Sequence, residues 1–210
     1  MSTGSISETM PTHVQINCVD ESYSCTVERT EIEEFAPYLA SRIEPAYGNN
    51  MPTVYVDHGS IAVQNVGWWL THAVCELCFE EYNCPTKDAE TFANSFSKTK
   101  EIATAAVEFG MAEFLRHLEW DLERVLDFIV DQGLFYSFVA RCWSEVHSPN
   151  IEIWARNTIV YAAAKHHSTL ILDEDYYNLP LTLRTEVSFY LRPNQAMMVR
   201  WHGPGVYEAN

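Results

Sequence analysis

Basic residues are scarce in this chain. Lys and Arg together number 13 against 29 Asp and Glu, for a formal net charge of −16. Between residues 1 and 86 only Arg29 and Arg42 are basic, beside twelve acidic side chains. A phosphate backbone is repelled by that half, which argues against direct nucleic-acid binding. The acidic excess favours solubility and basic or apolar protein partners instead. Long apolar runs are missing as well. No stretch approaches the roughly 18 consecutive apolar residues of a membrane span. The opening MSTGSISETMPTH has neither the basic region nor the apolar core of a secretory signal. The expectation is a cytoplasmic or nuclear protein outside the membrane, with its six cysteines reduced. Short signatures of chemistry are also lacking. There is no G-x-S-x-G, no phosphate-binding glycine loop and no H-E-x-x-H. Neither an internal repeat nor a low-complexity segment is present.

What the chain does have is core-forming material. Of its 210 residues 47% are hydrophobic, with 6 Trp, 11 Tyr and 10 Phe, enough for one generous domain or a small domain with an extension. The densest pattern lies at Lys100–Val130. Ile102, Ala105, Ala106 and Phe109 recur at helical spacing, and so do Met111, Phe114, Leu115, Leu118, Leu122, Val125, Leu126 and Ile129. Gly110 falls between the two runs, where a left-handed residue ends one helix and lets the next begin. This predicts two consecutive helices packed by their apolar faces, a scaffold without catalytic groups.

Before that stretch the period changes. Val14, Ile16 and Cys18 alternate with polar residues, as do Tyr23, Cys25 and Val27, around a turn at Asp20-Glu21-Ser22; that is a β-hairpin. A helix over residues 30–43 follows, with Pro37 dividing it or kinking it. A third strand is expected at Thr53–Val56 and a helix from Ile61 to Tyr82, then a linker around Pro85 and a helix beginning near Ala93. Beyond Asp131-Gln132-Gly133, Leu134–Val146, Ile151–Lys165 and Leu181–Leu191 read as further helices. The fold class is therefore α+β, a three-stranded small sheet packed against a helical bundle, with an all-helical C-terminal extension.

This order of elements resembles the BTB/POZ family, and particularly its divergent filamentous-fungal members. Val27-Glu28-Arg29 stands where that family has a V-H-K-like strand end, and Ala36-Pro37-Tyr38-Leu39 where its first helix has S-P-Y-F. Val54-Tyr55-Val56-Asp57 matches the third strand and its acidic turn. Phe79 to Tyr82 stands at the family's L-Y-T-G-like step, and Glu108-Phe109-Gly110-Met111 replaces K-Y-G-I/M in the closing helix. The resemblance implies a BTB/POZ-like domain at 13–130, a helical extension at 131–191, a flexible start at 1–12 and a tail at 192–210. It further implies a non-catalytic interaction module without cofactor, acting through protein partners as a homodimer or as an adaptor. A cullin-type ubiquitin-ligase adaptor resembling Elongin C is one form of the second. The implied contact residues are Glu31, Phe35, Tyr38 and Leu39 on the first helix. Glu31, Glu33 and Glu34 weaken the homodimer, because like charges meet across a two-fold axis.

Other candidates come from the residues alone. His72, Cys75 and Cys78 stand three apart and Cys84 six further on, a spacing that could offer zinc ligands. Cysteines on an apolar helix face read first as small core residues, and no second pair closes the ligand set. His166-His167 with Asp173 and Asp175 could be drawn as a metal site, against a simpler reading as a helix end and a capping turn. Cys142 and His147 could form a thiol-imidazole pair, although Cys142 shares the face of Phe138, Val139 and Val146. A zinc- or thiol-dependent enzyme remains an alternative on these residues. Trp68 and Trp69 are adjacent, so one of them points away from the face set by Val66 and Leu70. It is either an exposed interface anchor or covered by the extension. Met197–Trp201 in the tail is apolar enough to dock on the domain or to pair with a partner strand.

Overall fold

The computed structural model describes residues 12–20, 22–44, 51–73, 88–143 and 152–192, with backbone alone at 152–154. Those residues form an α+β structure of nine helices and a three-stranded mixed sheet, 70% helical. The apolar alternation sets the sheet. Val14, Ile16 and Cys18 of β1 (His13–Cys18) point to the core, as do Val27 of β2 (Ser24–Glu28) and Val54 and Val56 of β3 (Thr53–Val56). β1 and β2 pair antiparallel, with Ile16 opposite Cys25. At their turn the Asp20 carboxylate accepts hydrogen bonds from the backbone N–H and the hydroxyl of Ser22. β3 lies on the other side of β1 and runs parallel to it, Ile16 opposite Val54, giving the order β2-β1-β3.

A parallel neighbour requires a crossover, and α1 (Arg29–Phe35) and α2 (Pro37–Ala40) supply it. The ring of Pro37 opens α2 at its first position, where a missing N–H costs nothing. The sequence pattern's single stretch at 30–43 is thus two short helices. α3 (Ser60–His72) buries Ala62, Val63, Val66 and Leu70, and packs on β1 and β2. It stops earlier than the expected Tyr82. Ala73 adopts a left-handed conformation (φ 52°) and its N–H bonds the Trp69 carbonyl, ending the helix. Residues 74–87, with the anticipated linker, lie outside the described part of the chain.

α4 (Ala89–Phe109) begins four residues ahead of the expected start, because the Asp88 carboxylate caps it by accepting from the Thr91 N–H. Gly110 (φ 76°) separates it from α5 (Ala112–Asp131), as the pattern at Lys100–Val130 requires. α4 packs against α3 on one side and α6 (Phe135–Cys142) on another, while α5 packs against α7 (Glu152–Lys165). Then come α8 (His167–Leu170), a 3-10 turn (Glu174–Asn178) and α9 (Leu181–Tyr190), which rests on α7. Phe96 of α4 meets Phe138 of α6 edge-on at 5.7 Å. A single apolar core runs from Val14 in the sheet to Val187 in α9. The residues before and after 131 therefore share one interior. Tyr136 donating to the Leu170 carbonyl and Trp143 donating to Thr182 Oγ1 tie the extension together.

Candidate interaction surface

α1 is charged where it faces solvent. The Arg29 Nε donates to Glu33 one turn on at 2.7 Å, an exposed pair worth about 0.3–0.5 kcal/mol. Glu34 is exposed and Glu31 half-buried. Phe35 is partly covered and packs against the core. On the four-residue α2, neighbouring side chains leave in different directions. Tyr38 is 63% exposed, whereas Leu39 is fully buried. Leu39 is therefore a core residue and not a contact residue, a correction to the expectation for it. The Tyr38 ring lies over Gly110, so that α2 covers the junction of α4 and α5.

A charged cluster beside this junction has no local signature in the sequence. Glu108 on α4 accepts from the Arg42 guanidinium and meets His58 Nε2 at 2.8 Å, partners 66 and 50 residues away. The His58 ring stands edge-on to Phe109 at 5.4 Å. Burial pushes the Glu108 carboxyl up, but hydrogen bonds from Arg42 and His58 more than offset it and leave its pKa below the usual value. The cluster fixes the loop after β3 and the end of α2 onto α4.

The two tryptophans divide as adjacent helical positions must. Trp68 is 38% exposed and stacks on His72, with ring centres 4.0 Å apart. Trp69 turns inward and stacks on Phe114 of α5 at 4.9 Å, with His117 beside it at 5.1 Å. From there the seam continues outward along α5. His117 Nε2 lies 3.2 Å from the buried Asp121 carboxylate, and the Arg124 guanidinium sits 4.7 Å above the ring of Trp120, which is 54% exposed. Sequence reasoning passed over Trp120; its position one turn from Arg124 was the available signal.

Where they fall among the described residues, the candidates for metal and thiol chemistry lie apart from one another. His72 Nδ1 lies 3.3 Å from the Trp68 carbonyl, and Cys75, Cys78 and Cys84 are outside the described residues. Among the described residues no group of three or more His, Cys, Asp or Glu is placed to hold a metal ion. His166 and His167 face different ways. His166 Nε2 meets Asp127 Oδ1 of α5 at 2.8 Å, while His167 stands edge-on to Tyr176. Asp173 caps the 3-10 turn by accepting from the Asp175 N–H, and Asp175 accepts from Asn178. Cys142 is buried, and His147 is outside the described residues. Burial, with Cys18 adding to it, pushes the Cys25 thiol up to about 11, which keeps it protonated and unreactive at neutral pH. No helix among the described residues is long and apolar enough to cross a membrane.

One side chain of α5 makes the stability depend on pH. Burial, followed by repulsion from Glu123, pushes Glu119 from its ordinary 4.5 to about 7. The folded state then binds more protons than the unfolded one between those values, so stability falls as pH rises through that window and the loss is complete above it. Glu119→Gln is expected to melt higher than wild type at pH 8 and to show no gain at pH 4. Equal differences at the two values would contradict the assignment.

Beside this geometry stands the likeness of the chain to known proteins: no family model, no curated protein and no solved structure matches the chain.

Proposed function

We propose that this protein is a non-catalytic interaction module of the BTB/POZ kind, acting by self-association or as an adaptor within a regulatory complex. The observation that carries the proposal is the order of elements around the sheet. A hairpin, two short helices, a third strand and α3 follow one another, and α4 closes over α3, with the helical extension behind. That is the order the resemblance implies. Two large aromatic side chains stand out from this frame on α2 and α3, Tyr38 and Trp68, and exposed aromatic anchors are what protein interfaces draw on most. The chemistry of the partner side follows from the charge. A chain at −16 selects partners that are basic or apolar where they touch it.

The monomeric adaptor, the form that resembles Elongin C, has an observation in its favour. Glu31, Glu33 and Glu34 crowd α1, and Arg29 offsets one of them alone among the described residues. Size-exclusion chromatography with light scattering separates the two forms. For a symmetric dimer through α1, mass rises with concentration, and reversing Glu31, Glu33 and Glu34 to Lys changes the dissociation constant. For an adaptor, wild type and the reversed variant are both monomers at high concentration. An enzyme using zinc or a thiol would draw on the cluster of His72, Cys75 and Cys78, and metal analysis together with the folding of Cys75→Ser tests it.

A further inference from the structure

A groove of about 320 Å³ lies open between α6 and the 3-10 turn. Tyr136, Ala140, Leu179 and Pro180 give it apolar walls, and Ser137, Asp175 and Asn178 supply its polar groups. Among the described residues that line it the one charged group is the carboxylate of Asp175, whose Oδ1 accepts from Asn178 at 3.0 Å and whose Oδ2 has no partner among the described residues. Asp173 and Glu174, just before it in the turn, form no ion pair among the described residues either. The Tyr136 hydroxyl is committed to the Leu170 carbonyl at 2.8 Å. Its phenol is pushed up to about 12, first by burial and then by Asp173 and Asp175, which reflects the negative potential of this corner.

An apolar channel with an uncompensated carboxylate matches a side chain that is apolar along its stem and cationic at its tip. We propose that this groove receives a lysine or arginine side chain carried by a partner protein. Asp175 in the groove, with Asp173 near enough to act on Tyr136, disfavours an anionic ligand, and the volume is at the small end for a free small molecule. Because the groove is open, the backbone bearing the basic residue stays outside it. The neighbouring segments of the turn expose Leu172 (85%), Tyr177 (67%) and Leu181 (70%), apolar surface available to the residues flanking that side chain. The groove is built by the helical extension, apart from Tyr38 and Trp68, and its occupancy does not depend on the module reading.

The test is a titration of the whole 15N-labelled chain with a blocked Gly-Arg-Gly tripeptide, with Gly-Gln-Gly as control. The arginine peptide is expected to give saturable shifts at the amides of Ser137, Ala140 and Asn178, and the control none. Asp175→Asn should weaken binding about threefold, the scale of one partly exposed ion pair. Ala140→Leu, at an exposed helical position, should fill the groove and remove the saturable shifts while leaving the rest of the spectrum in place. Equal shifts with both peptides would overturn the proposal. So would shifts of the same size at Glu31 and Glu34 on α1, or an affinity unchanged by Ala140→Leu.

Discussion

Gly110→Val is expected to destabilise the protein by about 2–4 kcal/mol, a drop in melting temperature of roughly 5–12 °C for a chain of this size. Two costs combine. The backbone at Gly110 has φ 76°, which a β-branched residue adopts only with strain of about 1–2 kcal/mol. A Cβ there would also stand 2.9 Å from Cδ2 of Tyr38, so the ring that covers the junction must move aside. Gly133 separates the two effects. It too has positive φ (70°), but nothing lies within 4 Å of an added Cβ, so Gly133→Ala should cost about 1 kcal/mol from the backbone alone. Thermal unfolding followed by circular dichroism measures both. An unchanged melting temperature for Gly110→Val would mean that α4 and α5 are not joined by a left-handed turn.

The largest loss is expected from Phe138→Ala. Phe138 is fully buried on α6 and meets Phe96 of α4, so its removal leaves a cavity where the extension joins the core. Truncating a buried phenylalanine costs about 3–5 kcal/mol. The core is continuous from β1 to α9, and the cost should therefore appear in one transition, followed alike by tryptophan fluorescence and by far-ultraviolet circular dichroism. An early transition confined to one probe would mean that the extension unfolds by itself.

Particular residues explain how much of this was legible in the sequence. The alternation of Val14, Ile16 and Cys18 against Tyr23, Cys25 and Val27 is a local, period-two signal, and it placed the hairpin within a residue. Thr53–Val56 was readable as a strand but not as a parallel one, since four alternating residues carry no direction. Gly110 was legible because it interrupts two long helical patterns. The end of α3 at Ala73 was not, because alanine favours helices and Val74 and Leu77 continue the pattern; the left-handed turn there has no local signature. α8 and the 3-10 turn are too short for a period to show.

The same division holds for the surface. That Trp68 and Trp69 must part follows from the rotation per residue, and the structure sends Trp68 outward and Trp69 onto Phe114. Leu39 was a contact residue only through the family resemblance; at helical spacing it shares a side with Ile32, and both are buried. The cluster of Arg42, His58 and Glu108 depends on separations of 50 and 66 residues, which no local pattern encodes.

The proposed function places partner binding on exposed side chains of α2 and α3. Affinity capture with the whole chain, run side by side with a Tyr38→Glu/Trp68→Glu variant, tests it most directly. Tyr38 also covers Gly110 and Trp68 stacks on His72, so the variant's melting temperature is measured alongside and the capture is compared at a temperature where both chains are folded. The predicted result is a discrete set of proteins retained by wild type and lost by the variant. Recovery of the same proteins in the same amounts by both would contradict the claim.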